Sequence, residues 1–314
     1  MYISIVVLMF AVWSSIFSLA KITLEHSPPL FLTAVRMLLA GMLLLGFLAI
    51  RNRAAFRITS KQLFSLSLYA LFSMYLANAF EFWSVQHLSA AKTCFLYSLS
   101  PFFTAFFSYL HFGEKMNPRK WLGMGIGFLG IVPVLAIQTG SENLIGGIFC
   151  FSWPELAMMA AALCSVYGWV LLRIVVKDSS VSPSMANGTA MLIGGVFALF
   201  HSFIIDPWHP TPVSSAHFPA FVQGTLIMTF ISNIVCYNIY GLMLKRFTAT
   251  FLSFMGLLSP VFASLMSWIF IGETPSFAIF LSTVIVGSGL WLIYSAEIKQ
   301  GYILKKIPSE TASP

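Results

Sequence analysis

Charge is scarce in this chain. Only 9% of its 314 residues are Asp, Glu, Lys or Arg, while 58% are apolar. Soluble globular domains carry about 25% charged residues, so water is not the solvent for most of this surface. Sustained apolar–polar alternation is missing too, which excludes the strands of a membrane barrel. Apolar runs of about twenty residues that satisfy their own backbone in lipid are therefore helices. Catalytic signatures are absent: there is no H-E-x-x-H and no pair of acids within an apolar run, which argues against a membrane enzyme or a lipid-modifying protein. The four cysteines, Cys94, Cys150, Cys164 and Cys236, have no paired or metal-like spacing and read as small packing residues.

Several weaker signals also resolve into absences. The net charge is +7, but its bases lie in short loops between apolar runs rather than in a patch, so no nucleic-acid partner is expected. Ser18 and Ala20 resemble a signal-peptide cleavage site, yet no basic residue precedes the first apolar run, which is long for a signal. A retained first helix is expected. "GIGFLG", Gly125 to Gly130, fits G-x-G-x-x-G but has no strand before it, so no dinucleotide is implied, and no cofactor is expected. Gly123 and Gly127 instead give a small-xxx-small spacing for close helix packing. His201, His209 and His217 surround an outer loop in a spacing that fits no compact metal site.

What is present is a succession of apolar runs. They predict an all-α membrane protein with ten transmembrane helices at 2–20, 30–50, 63–84, 90–112, 120–137, 154–176, 187–205, 218–241, 248–271 and 276–295. An even number puts both termini on one side. Fourteen of the seventeen Lys and Arg, among them Arg51, Lys61, Lys120, Arg173, Lys245 and Lys299, fall on that same side, so the positive-inside rule makes both termini cytoplasmic. Lys21, Arg36 and Lys92 are the exceptions, in the outer half of the membrane or at its edge.

The chain also repeats itself. "LSPFFTAFFSYLHFGEK" from Leu99 matches "LSPVFASLMSWIFIGET" from Leu258 at an offset of 159 residues, aligning Ser100, Pro101, Gly113 and Glu114 with Ser259, Pro260, Gly272 and Glu273. Five helices per copy is an odd number, so the second copy enters the membrane upside down, the plan of secondary transporters with a mid-membrane substrate site. This divides the chain into a first repeat at 1–137, an outer linker at 138–153, a second repeat at 154–295 and a cytoplasmic tail at 296–314.

"VWSSIFSLAK", "FLTAVRMLLAG", "SVQHLSAA" and the two S-P and G-E segments together resemble the drug/metabolite transporter superfamily, specifically its EamA-type ten-helix members, over the whole chain. That resemblance implies two inverted repeats that move a small metabolite by alternating access without ATP, as a monomer or homodimer, in a bacterial inner membrane. The first half, "LMFAVWSSIFSLAKITLEHSPPLFLTAVRMLLAG", is similar to the S-adenosylmethionine/S-adenosylhomocysteine transporters of intracellular bacteria. The resemblance implies uptake of S-adenosylmethionine, in one version exchanged for S-adenosylhomocysteine. Amino acids or other small metabolites, moved in either direction, are the alternative within the superfamily.

Candidate substrate contacts follow from polarity at unusual depth. An ionisable residue within a span costs about 2.5–3.5 kcal/mol at the bilayer centre, and is by default a functional-site hypothesis. Lys92 sits one turn into helix four; it either faces a cavity or snorkels to the headgroups. Glu81, near the outer end of helix three, lies at similar depth, and the two either clamp the hairpin or receive a zwitterionic or cationic substrate between them. Proton coupling through Glu81 stays open. Arg36 is the family's recurrent arginine, suited to bidentate capture of a carboxylate or to capping backbone carbonyls. Trp13, Asn78, Tyr97, Asn233 and Tyr237 supply neutral polar and aromatic groups in the same layer, where rings can stack a purine or hold a sulfonium. Pro101 and Pro260, at equivalent positions within helices, free backbone carbonyls and suit hinges.

Overall fold

The computed structural model describes residues 2–51, 56, 58–88, 93, 96, 97, 99–135, 152–178, 181–259, 261, 262, 265 and 277–301. Among these there is no strand. The helices are α1 (Tyr2–Leu24), α2 (Pro29–Arg51), α3 (Ser60–His87), α4 (Ser100–Phe112), α5 (Pro118–Leu135), α6 (Trp153–Asp178), α7 (Pro183–Ile205), α8 (Phe218–Met243), α9 (Ala249–Met255) and α10 (Phe277–Lys299). Among the described residues, six helices are long and apolar enough to cross a membrane. Large apolar side chains such as Phe47, Phe200 and Trp291 point outward, as expected where the surroundings are lipid.

Local chemistry sets the helix ends. Thr59 caps α3 in a reciprocal capping box with Gln62. Ser182 caps α7 and Pro183 takes its first turn, so α7 begins four residues before the apolar run at 187 does. Gly113 closes α4 with φ +63, a left-handed conformation that favours glycine. α10 runs to Lys299 and so carries residues that the sequence assigns to the tail.

Two features are invisible to apolar periodicity. α3 contains a π-helical segment at Ala70–Leu76, and α8 contains one at Thr229–Cys236. Their first residues differ by 229 − 70 = 159, the offset of the repeated motif. Each wider turn leaves carbonyls that an asparagine then fills. Asn78 Nδ2 donates to the carbonyls of Ser73 and Met74, at 2.9 and 3.3 Å, and Asn238 Nδ2 donates to those of Asn233 and Ile234, at 3.5 and 2.8 Å. The same i−5 and i−4 pattern occurs in both helices. Such π turns often mark functional sites.

Helices α2 and α7 pack together, as do α5 and α10. In the second pair the backbones meet at glycine. A Cβ on Gly289 would stand 2.6 Å from the carbonyl oxygen of Gly123, and one on Gly123 would stand 2.8 Å from that of Gly289. A Cβ on Gly127 would meet Leu257 at 2.9 Å. The small-xxx-small spacing of Gly123 and Gly127 thus has its counterpart in α10.

Both ends of the described chain gather at one end of the bundle. The Arg246 guanidinium lies 4.0 Å from the centre of the Tyr2 ring, Thr248 bonds Glu297, and Gln300 Nε2 donates to the Lys115 carbonyl. That is the terminal end; the α1–α2 turn and the end of α3 lie opposite. We predict that Gly289→Ala lowers stability by about 1–3 kcal/mol through overpacking, whereas Gly287→Ala, with nothing within 4 Å of its Cβ, leaves it unchanged. Thermal unfolding of both variants in detergent checks the contrast.

Candidate functional site

A cavity lies between the middle of the bundle and its α1–α2 end, with about 1170 Å³ of empty space counting its mouth. It is predominantly apolar, with a few polar groups turned inward. Helices α1, α2, α3, α6, α8 and α9 contribute, together with the start of α4.

Arg36 of α2 reaches it. Only 2% of this residue is exposed, and neither its Nε nor its Nη1 has a hydrogen-bond partner. The guanidinium sits 5.0 Å from the centre of the Phe82 ring, a cation–π contact that satisfies none of the N–H donors. Glu81 of α3 lines the same cavity, within electrostatic reach of Arg36, yet no ion pair joins them. A buried guanidinium with open donors costs several kcal/mol unless an anion fills them. A guanidinium and a carboxyl group on one cavity wall, not joined to each other, are complementary in chemistry to the two ends of a zwitterion.

Beneath these charges the cavity has an aromatic floor built from three helices. Trp13 of α1, Trp169 of α6, and Tyr237 and Tyr240 of α8 pack in mutual contact. The rings of Trp169 and Tyr240 are 4.1 Å apart, and those of Trp13 and Tyr237 are 5.2 Å apart. A hydrogen-bonded serine orients part of this floor. Trp169 Nε1 donates to Ser165 Oγ at 3.1 Å, and Tyr97 Oη lies 3.0 Å from the same oxygen. The polar tips of Trp169 and Tyr97 are thereby tied down, and both side chains line the cavity.

Of the residues singled out in the sequence, Arg36, Glu81, Trp13, Asn78, Tyr97 and Tyr237 all line this cavity. Asn233 does not. It is fully buried against α2, where its Nδ2 lies 3.2 Å from Met37 Sδ. Lys92 and Pro260 lie outside the described residues. Pro101 lines the cavity and falls in the first turn of α4 as described, where its missing N–H breaks no helix bond. Sequence reasoning gave no separate role to Ser165 or Tyr240. A serine in an apolar run is common, and only the fold brings Ser165 between Tyr97 and Trp169.

A second polar assembly, at the terminal end, was missed for a different reason. The sequence sets Lys120 and Arg173 at helix ends among the bases of the cytoplasmic face, with no sign that they are buried. In the structure they are 1% and 4% exposed and paired with carboxylates: Lys120 Nζ lies 3.0 Å from Glu297 Oε1, and Arg173 pairs with Glu114. The signal available was Glu114 in the repeated G-E ending and Glu297 at the end of an apolar run. Among the described residues, no group of three or more potential metal ligands gathers.

Comparison with known proteins fits this geometry. The model of the EamA-like transporter family matches twice, at residues 1–136 and 152–295. The chain is 36% identical over 294 residues, 93% of its length, to the S-adenosylmethionine/S-adenosylhomocysteine transporter of Chlamydia muridarum, covering 91% of that protein. It is equally similar to the protein of the same name from Chlamydia trachomatis serovar L2, covering 89% of it. An uncharacterized inner membrane transporter of Escherichia coli K12, YedA, is 27% identical over 269 residues, 85% of this chain and 82% of that one. A crystal structure with only 17% identity superposes over 94% of this chain and 97% of its own with a TM-score of 0.74, so the fold is shared. With both halves matched and the fold shared, the chain belongs to the EamA-like transporter family.

Proposed function

We propose that this protein is a secondary transporter that imports S-adenosylmethionine, exchanging it for S-adenosylhomocysteine, by alternating access. The observation that carries this reading is the cavity itself. Its buried, unpartnered Arg36 faces Glu81 above a four-ring aromatic floor, in a chain 36% identical to relatives that bear that substrate in their names. Each part has a counterpart in the ligand. Arg36 takes the α-carboxylate in charge-assisted hydrogen bonds. Glu81 takes the α-ammonium. Trp13, Trp169, Tyr237 and Tyr240 offer faces for the adenine and for the sulfonium, a contact of about 0.5–2 kcal/mol for a cation over a ring. Because the thioether of S-adenosylhomocysteine lacks that charge, both ligands fit the same frame and differ chiefly at the floor.

Ten membrane-spanning helices in two inverted five-helix repeats complete the proposal, with repeats at 1–137 and 154–295 and both termini cytoplasmic. Three observations support it: the two family matches on either side of 137–151, the paired π segments 159 residues apart, and the shared end of α1 and α10. A bacterial inner membrane is the proposed location. Lys92 is retained as a proposed contact and Pro260 as a proposed hinge, and Pro101 as a proposed hinge at the start of α4 rather than within it.

Uptake of labelled S-adenosylmethionine into proteoliposomes tests the substrate. Saturable entry, competition by S-adenosylhomocysteine, and faster entry when S-adenosylhomocysteine is preloaded are the expected results. Equal competition by free methionine would replace the adenosyl reading with amino-acid transport. We predict that Arg36→Gln lowers uptake at sub-saturating substrate at least tenfold, the loss of about 1.5–3 kcal/mol of charged hydrogen bonding. Glu81→Gln and Lys92→Ala should each impair uptake, while Lys61→Ala, exposed at the start of α3, should not. Trp169→Leu should weaken binding of S-adenosylmethionine about three- to tenfold and that of S-adenosylhomocysteine less, because only the sulfonium loses a cation–π contact. Equilibrium binding of both ligands measures this difference. An imposed pH gradient, applied with and without Glu81→Gln, separates proton coupling from exchange.

A further inference from the structure

The two buried ion pairs at the terminal end have no place in substrate binding, since none of their four residues lines the cavity. They do share a geometry. Lys120 is in the first turn of α5 and Glu297 in the last turn of α10; Glu114 follows α4 and Arg173 is near the end of α6. Each pair therefore joins a residue from the first half of the chain to one from the second. The start of α9 links the pairs. Thr248 Oγ1 donates to Glu297 Oε2 at 2.6 Å, and Thr250 Oγ1 approaches Glu114 Oε2 at 3.5 Å. Arg173 also lies 4.2 Å from the centre of the Phe112 ring, at the end of α4. Five helices thus converge on one buried network, and Tyr240, which lines the cavity, lies within electrostatic reach of its Arg173.

We infer that Glu114, Arg173, Lys120 and Glu297 form a charged latch that closes the cavity at the terminal end and must part for the cavity to open there. This rests on the transporter reading of the fold, though not on the identity of the substrate. The physical case is one of position and cost. Buried ion pairs are poor contributors to static stability, because desolvation offsets most of their attraction. At a helix end, however, each charge can return to water when the helices separate. A pair of this kind fixes a specific contact when closed yet is given up at little net cost when its charges return to water, which suits a contact made and broken in every cycle. The alternative is two static ion pairs that fasten helix ends. Static pairs would predict that neutralisation loosens the fold without changing which face of the membrane reaches the cavity.

The test uses the full-length protein in sealed vesicles and needs no substrate. Ser253→Cys places a thiol in the cavity wall near the floor, in a background with Cys94, Cys150, Cys164 and Cys236 replaced by serine or alanine. A membrane-impermeant maleimide is applied to either face. With the latch intact, labelling from the face bearing the termini should be at least tenfold slower than from the opposite face. Glu114→Gln combined with Glu297→Gln should speed labelling from the terminal face at least tenfold. Exchanging the charges of one pair, Glu114→Arg with Arg173→Glu, should restore protection. Should the double variant not fold, Glu297→Gln alone, which keeps an oxygen within reach of Lys120 and Thr248, is read in the same way. Unchanged protection in a folded neutral variant would overturn the latch. Because no substrate enters the assay, failure here leaves the adenosyl reading standing, and failure of uptake leaves the latch testable.

Discussion

Hydrocarbon offers no hydrogen bonds, so a polar group inside this bundle either finds its partner in the chain itself or goes without one unless a ligand supplies it. The π segments illustrate the first fate. A π turn in α3 or α8 releases backbone carbonyls that water would fill in a soluble helix; here Asn78 and Asn238 fill them. The Tyr237 carbonyl takes Nδ2 of Asn187, whose Oδ1 accepts from Tyr69, so α3, α7 and α8 are fixed together by one buried amide. Arg36 illustrates the second fate. Its Nε and Nη1 are buried charged donors without a partner, and they face a cavity that a ligand can enter.

Charge in the bundle therefore divides by location. At the terminal end Lys120, Arg173, Glu114 and Glu297 are matched one to one. At the cavity Arg36 and Glu81 share space without closing on each other. The same residue types are paired in one place and left apart in the other, and what separates them is whether the facing helix presents an opposite charge at contact distance. That is a property of packing, which no stretch of sequence encodes locally.

This explains what could be read before the fold. The placement of the six long apolar helices among the described residues was legible because apolar run length is dictated by bilayer thickness, and Arg36 and Glu81 stood out because a charge amid Leu and Phe is costly. The repeat was legible from the S-P and G-E segments. Lys120 and Arg173 misled for the converse reason: a base next to a loop has water within reach, so nothing in the sequence marks it as buried. Asn233 was misplaced because a helix of this composition is apolar on every side, leaving periodicity unable to tell cavity from core. Ser165 and the π turns depend on contacts between helices far apart in the chain.

The two charge clusters also bear on how such a carrier would cycle. If Arg36 and Glu81 receive a zwitterion, the loaded cavity is electrically complete and its donors are filled. The empty cavity still carries an unfilled guanidinium, and occluding it away from water leaves that cost uncompensated. Closing over ligand is then easier than closing over nothing. A carrier of this kind returns faster with an exit ligand than empty, provided that ligand has the same amino-acid end. On the proposed function, exchange between two ligands that differ at the aromatic floor would follow from that asymmetry, with Arg36 enforcing the coupling and the floor setting the preference between them.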